Sequence, residues 1–392
     1  MELRPSLATY AFDSTQFEEL RRQVDTGALD PAANRLDEPP APLKTPPIDL
    51  RDAAKLDRSA LARRGEDALR AGKVAVLILN GGMATRFGGG AKGVVPVLPG
   101  HDKLSFLAIK LAEIRQRART LACEIPAVIM HSFATQATSD AHLKAIDWSG
   151  LPPSCRFTFA QSVMPRVLPD GTPLAELPGA RELPDTVLFS APGHGDTLGR
   201  LRDSGVLRRL AARGVEHILV SNVDNVGASL DPFVLGAHLE AAARGAEMSV
   251  EVVRRESGDA GGCIATLPGS GMTAIVEGFR LPVGTDLADY PHFNTNTLWF
   301  SLAAVDQTLP LTWFAVRKKI EWPVTTKDLP LEDGQLEVVQ FERLIGQATE
   351  FIPSAYLEVD RSSRFLPIKT RDDLTAASQE MERFAQQAGL LP

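Results

Sequence analysis

Short apolar runs alternate with amphipathic stretches along most of this chain. Four of the runs are continuous and short, as strands buried on both faces are. These runs are VAVLIL (74–79), PAVIMH (126–131), HILVSN (217–222) and MSVEVV (248–253). Between the first two, apolar residues recur at helical spacing: Leu104, Leu107, Leu111 and Ile114. Strands that alternate with helices in this way predict an α/β fold built on a doubly wound, mostly parallel sheet.

The first 50 residues follow a different pattern. Residues 1–38 look like polar, amphipathic helices, and a proline cluster follows in EPPAPLKTPPIDL (38–50). Proline removes an amide donor and favours extended backbone, so this stretch is predicted to link or wrap. The next segment is predicted to form a helix that ends at Gly72, which suits the left-handed cap position. We therefore expect an N-terminal helical extension with a proline-rich linker over residues 1–50, and one large domain over residues 51–392.

Two later features complete the pattern. Asp231 and Pro232 are typical of a helix start, and Gly245 can close that helix. The segments GGCIATL, TAIVEGFRL and NTNTLWFSL then predict a later cluster of strands, inserted into the sheet or appended to it.

Composition narrows the classes of partner and compartment. The 392 residues carry 42 Lys and Arg against 49 Asp and Glu, a formal net charge of −7. This acidic balance argues against a general binder of nucleic acid or of anionic membranes. Cys123, Cys155 and Cys263 are far apart and form no C-x-x-C pair, so we expect neither a disulfide framework nor a zinc site. The start shows no signal-peptide pattern, and every apolar run is far shorter than the ~20 residues of a membrane span, so we expect a cytoplasmic protein.

The most informative segment is LNGGMATRFGGGAKG, which directly follows the first apolar strand. Open parallel sheets bind ligands beyond the carboxyl ends of their strands. Gly81 and Gly82 allow backbone amides to approach a ligand closely, and Arg86 and Lys92 add two cations, so the segment predicts a phosphate-binding loop. The segment fits neither the P-loop nor the dinucleotide fingerprint. The alternative is a flexible surface loop whose Arg and Lys are solvated.

The order strand, GG-x-x-T-R-x-G, lysine resembles the activation loop of sugar-1-phosphate nucleotidyltransferases. Four further segments are similar to segments of the eukaryotic-type UTP–glucose-1-phosphate uridylyltransferase (UDP-glucose pyrophosphorylase) family. They are APGHGD (191–196), SNVDNVGASLDP (221–232), FNTNTLW (293–299) and RSSRFLPIKTRDDL (361–374). The resemblance implies a Rossmann-like catalytic domain of the glycosyltransferase-A type. Ala84 and Thr297 depart from the family pattern. Because the chain stops soon after the last segment, we expect no C-terminal β-helix and a monomer or small homo-oligomer.

The resemblance also implies a role for each matching side chain. Expected phosphate-binding residues are Arg86, Lys92 and Lys318, with Lys319 as an alternative to Lys318. Expected nucleotide-binding residues are Gly81, Gly82, Gln161, Gly193, His194 and Asn222. Expected sugar-binding residues are Glu277, Asn294 and Asn296, and the two asparagines should share a face because they alternate on one predicted strand. Asp224, just after a strand, is the expected Mg²⁺ ligand, and its alternative role is a turn or helix-cap acid.

The function that the resemblance implies is the formation of UDP-glucose and pyrophosphate from UTP and glucose-1-phosphate. Such a transfer needs positioning and charge neutralisation, usually with Mg²⁺, rather than a protein nucleophile. One alternative is a broad-specificity UDP-sugar pyrophosphorylase. The other is a non-catalytic nucleotide-sugar-binding protein on the same fold. We expect UTP and a sugar-1-phosphate as partners, and neither nucleic acid nor a membrane.

Overall fold

The computed structural model describes residues 3–52, 54–83, 87, 89–259, 261–322, 329 and 331–392. The α-helices are α1 (Ser14–Asp25), α2 (Arg58–Arg70), α3 (Phe106–Leu121), α4 (Gln136–Ala145), α5 (Asp185–Leu188), α6 (Thr197–Asp203), α7 (Val206–Ala211), α8 (Pro232–Ala243), α9 (Leu302–Val305), α10 (Arg361–Arg364), α11 (Arg371–Ala376) and α12 (Ser378–Gln387). The strands are β1 (Ile48–Asp49), β2 (Val74–Asn80), β3 (Ala127–His131), β4 (Arg156–Ala160), β5 (Met164–Pro165), β6 (Phe189–Ser190), β7 (His217–Asn222), β8 (Met248–Arg254), β9 (Cys263–Thr266), β10 (Thr273–Val276), β11 (His292–Ser301), β12 (Phe314–Glu321), β13 (Leu331–Glu332), β14 (Gln335–Glu342) and β15 (Ser354–Glu358). Of the described helices, none combines the length and the apolar character that a membrane span requires.

The described strands form a central sheet of ten strands and two smaller sheets. The main path of the central sheet is β1–β15–β8–β11–β7–β2–β3–β4, and β9 and β10 form a hairpin beside β11. Neighbouring strands run parallel at β1–β15, β15–β8, β7–β2, β2–β3 and β3–β4. Strand β11 runs antiparallel to β7 and β8. The sheet is mixed but mostly parallel, which confirms the predicted α/β class.

Strand β2 shows how helices cover both faces of the sheet. All of its residues are buried, and successive side chains point to opposite faces. Val76 packs in the cluster that contains Leu111 of α3. Leu77 packs in a second cluster, with Leu201 of α6 and Leu210 of α7. A strand buried on both faces has to be apolar throughout, which is why its sequence is a continuous run.

The predicted elements correspond closely to the observed ones. The four apolar runs form β2, β3, β7 and β8, and the helical spacing forms α3. Helix α8 begins after Asp231, whose Oδ1 accepts a hydrogen bond from Phe233 N at 2.8 Å. Gly72 and Gly245 follow α2 and α8 with φ angles of 69° and 97°, so both occupy the left-handed conformation that the sequence predicts. The later cluster of strands forms β9, β10 and β11.

The predicted N-terminal extension packs against the remainder of the described chain. Helix α1 buries Phe17 in a cluster with Phe341 of β14. Asn34 Nδ2 donates to Ala315 O at 2.8 Å, and β1 adds a parallel strand beside β15. The proline-rich stretch therefore wraps around the fold, and a division of the chain at residue 50 stays a prediction.

The carboxyl ends of four parallel strands meet at one edge of the central sheet. Leu79 of β2 lies opposite Asn222 of β7, and His131 of β3 lies opposite Ala160 of β4. The glycine-rich segment after β2, the turn after β7 and Gln161 after β4 therefore begin side by side. This is the edge at which open α/β sheets bind ligands.

Candidate active site

A cavity of about 370 Å³ lies at this edge of the sheet. Eight predicted site residues contribute to its lining. These are Gly81, Gly82, Lys92, Gln161, Gly193, His194, Asn222 and Asp224. The residues come from separate segments of the sequence, so the fold, and not local sequence, brings them together.

The side chain of Gln161 lies between two glycine segments. Its Nε2 donates to Gly193 O at 2.7 Å. Its Oε1 lies so close to Gly81 that a Cβ at residue 81 would come within 2.1 Å of it. Ser132 Oγ holds the same loop by donating to Gly81 O at 2.8 Å. Glycine at residue 81 is therefore required for the loop and the amide to keep these positions.

Lys92 faces the cavity from the far end of the glycine-rich loop. Its backbone N–H donates to Gly82 O at 3.3 Å and so joins the two ends of the loop. Its ammonium donates to Asp224 Oδ2, and the two side chains are 17% and 16% exposed. The cavity therefore contains one cation and one carboxylate in direct contact. Arg86, the other predicted cation of this loop, lies outside the described residues.

The ring of His194 is held in one tautomer. Ile345 N donates to His194 Nδ1 at 3.0 Å, so the ring proton lies on Nε2. Burial lowers the pKa of His194 to about 4, and the ring is therefore neutral at pH 7. His194 offers the cavity an uncharged N–H donor rather than a cation.

The end of β14 fixes the GHGD segment that carries this histidine. Gly193 has a φ of 74°, and a Cβ there would come within 2.6 Å of Arg343 O. The same oxygen accepts from Gly195 N at 2.8 Å. Asp196 accepts from Arg343 Nη2 at 2.7 Å and from Ser162 N at 2.7 Å. This close backbone approach explains why two of the four residues are glycine.

The turn after β7 is tied to two other segments of the site. Asn296 Nδ2 donates to Asn222 Oδ1 at 2.9 Å. Ile368 N donates to Asp224 O at 3.2 Å. The carboxylate of Asp224 contacts the ammonium of Lys92 rather than a helix N-terminus. Asp224 therefore does not act as a helix cap among the described residues, and its choice between a metal ligand and a turn acid stays a prediction.

The predicted sugar-binding residues form a group beside this turn. The carboxylate of Glu277 lies close to the Asn294 side chain and to Gly262. Burial raises the pKa of Glu277, against the opposing effects of Arg280, Gly262 and Asn294. Asn296 Oδ1 is buried and has no hydrogen-bond partner in the described part of the chain. A free buried acceptor of this kind is suited to a ligand hydroxyl.

The expectation that Asn294 and Asn296 share a face through regular strand alternation is wrong. The register of β11 against β8 shifts between Asn294 and Thr297, which marks a β-bulge. Asn296 has a φ of 56°, in the left-handed region. Asn294 Oδ1 accepts from Asn296 N at 2.9 Å, a local bond that asparagine readily forms. The bulge, and not the period of the strand, directs one asparagine to Glu277 and the other to Asn222.

The structure does not bring Lys318 together with the other predicted residues. Lys318 is exposed on β12, four residues from Phe314. Phe314 lies opposite Glu342, which lines the cavity. Four residues of β-strand span ~13 Å, so Lys318 lies that far along β12 from the cavity end of the strand. The alternative, Lys319, forms an ion pair with Glu332 at 2.7 Å. A phosphate-binding role for either lysine stays a prediction.

The sequence analysis did not select one residue that lines the cavity and one that follows a segment in contact with the site. Lys369 directly follows Ile368, whose amide contacts Asp224, but the Lys369 side chain is exposed and does not line the cavity. It belongs to the quoted segment RSSRFLPIKTRDDL, so its place in that segment was the available signal. Glu342 ends β14 and lines the cavity, and its Oε1 accepts from Gln340 Nε2 at 3.2 Å. The sequence feature that could have identified Glu342 is an acidic residue at the end of an apolar strand, like Asp224 after β7.

The donor atoms of the site suit one kind of metal ion. Within the described residues, no group of three or more His, Cys, Asp or Glu is placed to hold a metal. Asp224 and Glu342 each bring one carboxylate to the lining of the cavity. Proteins commonly hold Mg²⁺ through one or two carboxylates together with substrate phosphates. The site therefore fits a magnesium ion that is bound together with a nucleotide.

The chain is similar in sequence and fold to known proteins of one family. The sequence model of the family described as UTP–glucose-1-phosphate uridylyltransferase matches residues 42–390. The chain is 29% identical over 330 residues to the UTP–glucose-1-phosphate uridylyltransferase of Saccharomyces cerevisiae, an alignment that covers 82% of this chain and 62% of the relative. It is 30% identical over 338 residues to UTP–glucose-1-phosphate uridylyltransferase 2 of Dictyostelium discoideum, covering 85% and 63%. A solved structure of a UDP-glucose pyrophosphorylase mutant from Leishmania major, in complex with UDP-glucose, matches with a TM-score of 0.68 at 25% identity. That match covers 93% of this chain and 79% of the other.

The alignments cover most of this chain but a smaller fraction of each relative. The chain spans about three fifths of the length of the curated relatives it matches.

Proposed function

The chain belongs to the UTP–glucose-1-phosphate uridylyltransferase family, and from this premise we propose that it forms UDP-glucose and pyrophosphate from UTP and glucose-1-phosphate. The observation that supports the proposal most strongly is the shared cavity. Glycine amides, a lysine, a neutral histidine donor and a carboxylate converge there from distant segments. These are the groups that a nucleoside triphosphate requires.

The proposed reaction is a direct transfer. An oxygen of glucose-1-phosphate attacks the α-phosphorus of UTP in line. The new O–P bond forms while the bond from the α-phosphorus to the bridging oxygen breaks, and the electron pair leaves with pyrophosphate. In this proposal Lys92 neutralises phosphate charge, His194 donates Nε2–H, and Gln161 reads the uracil edge with its remaining donor and acceptor. Arg86 keeps its predicted role at the phosphates.

Magnesium is part of the proposal, and Asp224 is the residue that would hold it. When bound, the ion neutralises phosphate charge. We expect Asp224→Asn to lower turnover more than it lowers UTP affinity. Calorimetric titration of UTP, with and without Mg²⁺, gives a readout that is independent of activity. The wild type should bind UTP more tightly with Mg²⁺, and the variant should lose this difference. Equal proportional losses of turnover and affinity would contradict the assignment.

The sugar is proposed to bind at the group formed by Glu277, Asn294 and Asn296. The carboxylate of Glu277 can accept hydrogen bonds from sugar hydroxyls, and Asn296 Oδ1 is a free buried acceptor. Glu277→Gln should raise the KM for glucose-1-phosphate and leave the Kd of UTP unchanged. A change in the Kd of UTP alone would place the residue elsewhere.

A panel of sugar-1-phosphates tests the proposed function and separates the alternatives. The purified chain is incubated with Mg²⁺, UTP and each sugar, and pyrophosphate release is measured. Glucose-1-phosphate should give the highest kcat/KM. Similar values for several sugars would indicate a broad-specificity UDP-sugar pyrophosphorylase. Binding of UDP-glucose without any turnover would indicate a non-catalytic nucleotide-sugar-binding protein. Lys92→Met should abolish turnover, whereas the exposed Lys103→Met is the matched control.

The remaining expectations also stay proposals. We propose a cytoplasmic protein that is a monomer or small homo-oligomer and has neither nucleic acid nor a membrane as a partner. Light scattering of the purified chain measures the mass in solution and tests the oligomeric part directly.

A further inference from the structure

Lys110 occupies an apolar position on α3. Leu107, Leu111 and Ile114 lie on the same side of the helix as Lys110, three residues before it and one and four residues after it. All three leucine and isoleucine side chains are buried in the core. Lys110 is only 6% exposed, and burial lowers its pKa to about 8. A buried ammonium lowers stability unless its surroundings compensate. The contacts of this ammonium therefore indicate why a lysine stands here.

The ammonium joins the two ends of the turn after β7. Lys110 Nζ donates to Ser221 Oγ at 3.0 Å and to Ala228 O at 3.1 Å. Ser221 is fully buried and directly precedes Asn222. The turn between these two contacts carries Asn222 and Asp224, which both line the candidate active site. One side chain thus ties together the start and the end of the segment that carries two site residues.

The charge of Lys110 lacks a direct counter-ion among the described residues. The carboxylates of Glu113, Asp224 and Glu251 attract it electrostatically, and Arg364 repels it. Arg364 differs, because its guanidinium pairs directly with Glu251 at 2.6 Å. An unpaired buried charge is a poor device for stability, and apolar replacements of such groups are often neutral or stabilising. A role in shaping the turn accounts for the lysine better.

We propose that Lys110 is a positioning residue, whose ammonium holds Ser221 to Ala228 and thereby fixes the turn that presents Asn222 and Asp224 to the substrates. This inference rests on the proposed function, since it concerns the same site. Lys110 does not line the active-site cavity. It borders a second cavity of about 400 Å³, which is also lined by Val226 and Ala228 of the same turn.

The second cavity makes the inference testable by chemical rescue. Lys110→Ala removes three methylene groups and the ammonium, which together correspond to n-propylammonium. The cavity lies next to the removed atoms and is large enough for such an ion. Propylammonium should restore turnover to the variant, whereas n-propanol, of similar size but uncharged, should not. If Lys110 only fills space, both compounds should restore the turnover of Lys110→Ala to the same extent.

Hydrogen exchange and kinetics of Lys110→Met test the same point without an added ligand. We expect amide exchange to become faster in residues 222–228, with the melting temperature unchanged or raised. We also expect kcat to fall about tenfold or more and the KM for glucose-1-phosphate to change less than about twofold. Lys144→Met, which replaces an exposed lysine on α4, is the matched control and should show none of these effects.

Each outcome has a clear meaning. Unchanged exchange in residues 222–228, or a loss of kcat that only follows the loss of folded protein, would overturn the role of Lys110. Rescue by propanol as effective as rescue by propylammonium would also overturn it. The exchange measurement does not depend on turnover. If the wild-type chain releases no pyrophosphate, the proposed function fails, and faster exchange in the variant still supports the positioning role.

Discussion

The ring of His194 can form two hydrogen bonds, and two substitutions each remove one of them. Nδ1 accepts from Ile345 N at 3.0 Å, and Nε2–H remains for a ligand in the cavity. In His194→Asn, the side-chain oxygen can take the place of Nδ1, but no atom reaches the position of Nε2. In His194→Gln, the side-chain nitrogen can reach the position of Nε2, but no acceptor remains for the Ile345 amide. Asn should therefore impair catalysis, and Gln should impair stability.

The size of each effect follows from the bond that is lost. His194→Gln leaves the Ile345 N–H without its partner, which costs about 1–3 kcal/mol of unfolding free energy. If Nε2–H donates to a substrate phosphate as proposed, His194→Asn removes an interaction of about 1.5–3 kcal/mol. Expressed as a rate, that loss is roughly 10- to 150-fold in kcat/KM. Because the ring is already neutral at pH 7, neither variant removes a positive charge from the site.

Denaturant unfolding and pyrophosphate-release kinetics measure the two effects separately. The expected result is a stable but slow His194→Asn and a less stable His194→Gln with a smaller loss of kcat/KM. If both variants lose stability and activity in equal proportion, the division of roles between Nδ1 and Nε2 is wrong. Full activity of His194→Asn would show that Nε2 makes no contact in the transition state.

Three further predictions concern the loop, the core and the second phosphate-binding lysine. Gly81→Ala places a Cβ 2.1 Å from Gln161 Oε1, so we expect a loss of about 1–3 kcal/mol in unfolding free energy, as in overpacked sites, with weaker UTP binding by calorimetry. Burial lowers the folded-state pKa of His238 to about 3. The pKa of an unfolded histidine is ~6.5, so between pH 6.5 and 3 the unfolded chain binds more protons than the folded chain. As pH falls through this window, His238 should lower the free energy of unfolding by up to ~1.4 kcal/mol per pH unit. Urea unfolding at pH 6.5 and 4.5 checks this slope, which His238→Gln should reduce. Lys369 follows the Ile368 amide that contacts Asp224. If its ammonium binds a substrate phosphate, Lys369→Ala should lower kcat/KM by roughly 10- to 100-fold, whereas Lys318→Ala should change it less than about twofold. The opposite order would restore the assignment made from sequence.

The position of the glycine-rich loop could be predicted from the sequence because one rule of α/β sheets covers it. Short apolar runs identified β2 and β7, and ligand-binding residues follow the carboxyl ends of such strands. The rule selected the glycine-rich loop that contains Gly81, whereas the roles of Asn222 and Asp224 came from the family resemblance. The structure places all three residues at one cavity. The rule needs no knowledge of which strands are neighbours, since all parallel strands end at the same edge.

The features that the sequence did not predict depend on pairings between distant segments. Lys318 and Lys369 are both lysines near the end of the chain, and only the contact between Ile368 and Asp224 distinguishes them. The bulge at Asn296 arises from the register of β11 against β8, which local alternation does not reveal. Lys110 fits no motif, and its only signal was a charge at an apolar position of a helix.

The ion pair between Lys92 and Asp224 changes how the charge of the site should be understood. A net charge of −7 implies little attraction for polyanions, and the described cavity carries no clear excess of positive charge while this lysine is paired. If Lys92 binds phosphate as proposed, a second cation at Asp224 would release its ammonium from the carboxylate. A divalent ion that arrives with the nucleotide would be such a partner. Metal dependence and the action of Lys92 would then be one property of the site, because the carboxylate that holds the ion is the one that otherwise restrains the lysine.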